Sequence, residues 1–158
     1  MKRLNKKGFT LVELLAVIII LAIVVTVSIP AITNVINDSK NSSLGVAANA
    51  AEKYIGDQYS LMAVDASMVD SAFKGKITTY AAASYDLDVS NDVDAALIKA
   101  MGFNTTDVKT VTVKINDDDT VCVTVNSIPT SSKFYTTKFW DTTGANVKTG
   151  ANNKSKSC

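Results

Sequence analysis

The chain predicts an α+β fold: one long N-terminal helix, its first half able to span a membrane, packed against an antiparallel sheet of three to four strands. Three observations carry that expectation. An uncharged run occupies residues 14–29, with Thr26 and Ser28 as its only polar side chains. An amphipathic pattern at spacings of three and four follows it to about residue 58. Two valine-rich alternating runs then flank the polar turn 116–119.

The apolar run comes first because it decides how the rest is read. Residues 9–29 form a helix of roughly 31 Å, which matches the hydrocarbon core of a bilayer. Lys2, Arg3, Lys6 and Lys7 precede it and no base follows closely, so a cytoplasmic N-terminus is expected. A cleaved secretory signal fits poorly: the core is long and ends in Ser28-Ile29-Pro30-Ala31, without an Ala-x-Ala site. An uncleaved signal anchor fits the length but leaves the charge of Glu13 unexplained. Cleavage before the run, between Gly8 and Phe9, would create a free α-amine on Phe9. Phe9 and Glu13 are four apart and share a helix face. In a bundle of such helices each Glu13 could pair with the Phe9 ammonium of a neighbour and fix the axial register.

Lys6-Lys7-Gly8-Phe9-Thr10-Leu11-Val12-Glu13-Leu14-Leu15 resembles the type IV prepilin signature, shared by pilins, secretion pseudopilins and competence pilins. The resemblance covers residues 1 to about 60. It implies a pilin fold, a prepilin peptidase that cuts after Gly8, and N-methylation of Phe9. It also matches Pro30 to a helix-kinking proline common in pilins, and assigns Phe9, Glu13 and Pro30 to assembly. The implied divisions are a cleaved leader at 1–8, a transmembrane or filament-core helix at 9–29, the amphipathic half of that helix at 30–58, and a globular head at 59–158. The implied role is a structural subunit of a surface filament for adhesion, twitching motility or colonisation. Its partners would be like subunits, the peptidase, the assembly platform and, before assembly, the lipid bilayer. The protein would move from the cytoplasmic membrane to an extracellular pilus. A type II secretion pseudopilin and a competence pilin for DNA uptake are the alternatives, with a signal-anchored binding domain more remote.

The second half of the helix carries Ile32, Val35, Ile36, Leu44, Ala47, Ala51, Tyr54, Ile55 and Tyr59 as one stripe, expected under the head. Pro30 removes a backbone hydrogen bond and is expected to kink or locally melt the helix. Residues 77–85 offer a weak strand pattern. Residues 90–102 read as a short helix with a polar cap, early acids, a late Lys99 and a terminating Gly102. Val108, Val111, Val113 and Ile115 alternate, as do Val121, Val123 and Val125; a third strand is expected at 133–140.

Composition excludes several chemistries. The chain of 158 residues has no histidine, so the commonest general base and zinc ligand are missing. Two cysteines, Cys122 and Cys158, cannot form a four-thiolate site; in an exported chain they read as one disulfide, and in a reducing compartment as two free thiols. Closing about 37 residues, such a bridge is worth roughly 3–4 kcal/mol. Pilins often close their C-terminal region this way, so the resemblance favours the bridge. Asp117, Asp118 and Asp119 lack the spaced calcium-loop pattern and read as a solvated turn. Residues 133–140 interleave lysines with aromatics, as single-strand-binding surfaces do, yet two lysines make a thin patch and half-buried core is preferred. No nucleophile motif or phosphate loop is present. Neither an enzyme, a metal, a cofactor nor a nucleic-acid partner is expected. The net charge of +1 hides an acidic stretch at 57–119 and a basic one at 133–156, which could meet between neighbouring heads.

Overall fold

The computed structural model describes residues 9–141 and 143–145. It divides between Ile36 and Asn37 into two compact units. One helix, α1, spans Leu11–Val64. It runs past the expected end near Gln58 because residues 60–64 contain no breaker and still have apolar partners. Tyr59 is buried, and Leu61 and Met62 pack against the core. Asp65 ends the helix: its N–H closes the last turn on Leu61 O at 2.8 Å, while its carboxylate turns to accept from Ser67 N at 2.7 Å.

In the first unit α1 continues through Pro30 without a break, so the expected local melting is absent. The two hydroxyls of the apolar run are satisfied within the helix. Thr26 Oγ1 donates to Ala22 O and Ser28 Oγ to Val24 O, both at 2.7 Å, and Thr33 Oγ1 follows on Ile29 O at 3.0 Å. No residue from Phe9 to Ile36 is buried. Ile32, Val35 and Ile36, expected under the head, remain 56%, 68% and 49% exposed. Their apolar pattern is real, but the cover on α1 starts only at Asn41.

In the second unit the buried face of α1 is Asn41, Leu44, Gly45, Ala48, Ala51, Ile55 and Tyr59, at three- and four-residue spacing. Its middle is small, which lets other elements approach closely. Strands β1 (Ala83–Asp88), β2 (Thr110–Ile115) and β3 (Val121–Ser127) form an antiparallel sheet in the order β1-β2-β3. Val111, Val113, Ile115, Val121, Val123 and Val125 share one core with the α1 face. At about 25 cal/mol per Å² this apolar burial is the main force holding the unit together.

Two short helices complete the layer. Helix α2 (Ser71–Lys76) is absent from the sequence expectation; Asp70 caps it by accepting from Ala72 N at 2.7 Å. Helix α3 (Asp92–Ala100) matches expectation. Asn91 caps its start, accepting from Val93 N and Asp94 N. Gly102, at φ 91°, ends it, with Gly102 N on Lys99 O and Phe103 N on Ile98 O.

The third strand is β1 and not residues 133–140, where the sequence pattern placed one. That stretch folds as successive turns: Ser132 N bonds Pro129 O, Tyr135 N bonds Ser132 O, and Phe139 N and Trp140 N both reach Thr136 O. The neighbours Phe139 and Trp140 are both buried, at 4% and 2% exposure, which a strand with one face inward does not allow. Beyond β3 there is an isolated bridge from Ser127 to Ala145. Gly144 allows that return: at φ 82° an added Cβ would fall 1.8 Å from Ile128 O.

Candidate functional site

The site of interest is the exposed start of α1, and its chemistry begins at Thr10. Glu13 N donates to Thr10 Oγ1 at 3.3 Å, while Glu13 Oε2 accepts from Thr10 N at 2.7 Å and Thr10 Oγ1 at 2.8 Å. This reciprocal arrangement is a capping box, and it satisfies N–H groups that a helix start leaves unpaired. Thr10-x-x-Glu13 is its sequence signature, a local use of the carboxylate that reasoning from membrane cost alone misses.

Phe9, just ahead of the box, is 87% exposed. The aliphatic residues behind it are also uncovered, from Leu15 and Val17 at 49% to Leu11 at 82%. By length and composition α1 qualifies as a membrane-crossing helix near the N-terminus. Gly8 lies outside the described residues.

Cys122 sits on β3 opposite Lys114 and is nearly buried. Its proposed partner Cys158 lies outside the described residues, and no cysteine among the described residues is free.

The acidic turn is built into the hairpin. Asp118 Oδ1 accepts from Thr120 N at 3.1 Å and Thr120 Oγ1 at 2.6 Å, bonds that hold its carboxyl below the usual range. Asp119, at φ 62°, accepts from the Tyr80 hydroxyl at 2.8 Å, and Tyr80 stacks on Tyr59 with centroids 4.3 Å apart. Among the described residues no three acidic or thiol side chains converge as a metal site would require.

The basic C-terminal stretch meets acids of its own chain. Lys133 pairs with Asp107 at 3.1 Å and Lys138 with Asp38 at 2.6 Å. Lys133 and Lys138 also lie over the rings of Phe134 and Phe139, at 4.9 and 5.3 Å. With Phe139 and Trp140 buried, the aromatics of 133–140 serve mainly as core.

No curated protein and no solved structure matches this chain. Residues 3–29 do match the family defined by the prokaryotic N-terminal methylation motif, which is a structural motif and not an enzyme class. That stretch holds the basic leader, Gly8, Phe9, Glu13 and the uncovered run, so the chain carries the prepilin-like N-terminus of type IV pilins and pseudopilins.

Proposed function

We propose that the chain is the structural subunit of a type IV pilus, cut between Gly8 and Phe9, N-methylated on Phe9, and polymerised through α1 into a surface filament. One observation carries the reading: an apolar helical face runs from Leu11 to Ile29 with no residue of it buried by its own chain. Water is a poor solvent for such a face, so lipid covers it before assembly and copies of the same helix cover it afterwards. The bases ahead of it favour a cytoplasmic N-terminus in the membrane-held state.

Glu13 serves twice in this scheme. A carboxylate has about four acceptor sites, and the capping box uses Oε2. The other oxygen is available to the Phe9 ammonium of an adjacent subunit. A secretion pseudopilin or competence pilin would share this N-terminus. The buried Phe139 and Trp140 count against a base-stacking surface at 133–140 and so against the competence role. A bridge from Cys122 to Cys158 would tie the C-terminal tail to β3; the absence of free thiols among the described residues supports it.

Mass analysis of the N-terminus of the native protein tests the reading. Methylated phenylalanine at position 9 is expected, and an intact Met1 in the mature protein would overturn it.

A further inference from the structure

Between the second-unit part of α1 and the turn after Ser132 lies an open groove of about 420 Å³, lined by Ser39, Lys40, Ser43, Lys133 and Phe134. Its charge is unbalanced. Lys133 is shared with Asp107, and nearby Lys138 is taken by Asp38. Lys40 is half-buried, and among the described residues its ammonium reaches a backbone carbonyl, Tyr135 O at 3.4 Å, but no carboxylate. An ammonium has three donors, and a half-buried one with a single long contact is incompletely satisfied. The Ser39 hydroxyl beside it can turn to donate to an anion, Ser43 Oγ already donates to Ser39 O at 2.9 Å, and Phe134 gives the rim an apolar side.

The place of the groove in the chain narrows the anion. Ser39 stands three residues after Ile36, the last exposed apolar residue of the first unit. Three residues span no more than about 11 Å, so chain connectivity alone keeps Ser39 close to the last residue of the apolar segment. The uncovered stretch of α1 is longer than the roughly 20 residues needed for hydrocarbon alone. The surplus extends into the headgroup layer, where amphipathic aromatics and basic side chains gather.

We propose that this groove binds the phosphate of an anionic phospholipid headgroup while the subunit is held in the membrane. Lys40 is the main cation, Lys133 the second, and Ser39 the hydroxyl donor, with Ser43 lining the groove. The proposal rests on the membrane-anchored state described above and adds a lipid preference to it.

The full chain, labelled for nuclear magnetic resonance, would be placed in phosphatidylcholine bicelles with a rising fraction of phosphatidylglycerol. Saturable shifts confined to Lys40, Ser43 and Phe134 are expected, with Lys40→Gln raising the half-saturating fraction at least fivefold and Lys40→Arg restoring it. Inorganic phosphate alone should not reproduce the shifts. The wild-type titration needs no variant, so misfolding of Lys40→Gln would not rescue the idea. Absence of saturable shifts, equal shifts from free phosphate, or equal weakening by the distant Lys99→Gln would each overturn it. The N-terminal mass analysis is independent, so failure of one reading is distinguishable from failure of the other.

Discussion

At Thr10 and Glu13 two side chains close the first turn of a helix whose next residues are all apolar. Backbone donors at a helix start have no partner within the helix, and these two side chains supply one. Thr10→Val removes the threonine half of the box. Amide exchange in the first turn of α1 should then rise about fivefold, the effect typical of a lost N-cap, while exchange around residues 44–55 stays unchanged. Other single carboxylates hold loops in the same way. Asp65, Asp88, Asp118 and Asp141 each accept from a serine or threonine two residues on, which lowers their pKa. A lowered folded pKa stabilises fully above the ordinary carboxylate range and is lost as pH falls through the folded value. Acid should therefore loosen these loops before the core opens, seen as faster exchange at Ser67, Ser90, Thr120 and Thr143. Tyr54 lies at the other end of the scale, its hydroxyl pushed up to about 12 by burial and then by Asp70.

The small elements are held by one buried charge. Asp94 on α3 pairs with Lys76 at the end of α2 at 2.8 Å, and its other oxygen accepts from Asp88 N, the last residue of β1, at 3.2 Å. Three elements thus meet at a carboxylate that is 7% exposed. Lys76→Met leaves that charge without its cation and should cost about 2–3 kcal/mol, less than a fully buried pair because Lys76 is partly solvated. Adding Asp94→Asn should recover part of the loss. Urea unfolding followed through the single tryptophan, Trp140, measures both. A Lys76→Met variant as stable as wild type would show that the pair contributes nothing net.

For the whole molecule, two predictions concern how its parts are held. Glu13→Ala should leave membrane insertion intact, because insertion depends on the apolar run, yet sharply reduce filament yield. Normal yield from the variant would remove Glu13 from the assembly mechanism. If Cys122 and Cys158 form a bridge, reduction should lower stability by about 3–4 kcal/mol, the entropy of closing about 37 residues, and only then expose Cys122 to alkylation.

Some of this was readable from local pattern alone. The prepilin-like motif, the long apolar helix, α3 with its cap and Gly102, and the β2–β3 hairpin each depend on residues close together in the chain. The capping box belongs with them, since Thr10-x-x-Glu13 is a short-range signal. The identity of the third strand was not readable this way. Residues 77–85 and 133–140 both offered a pattern, the strand forms at 83–88, and pairing to β2 depends on contacts far apart in sequence. The turns from Ser132 to Trp140 bury adjacent aromatics, which no period-two reading can anticipate. Where the cover on α1 begins, at Asn41 and not at Ile32, was also beyond local reading. An apolar stripe looks the same whether the head, the lipid or another subunit buries it, and only the packed chain distinguishes them.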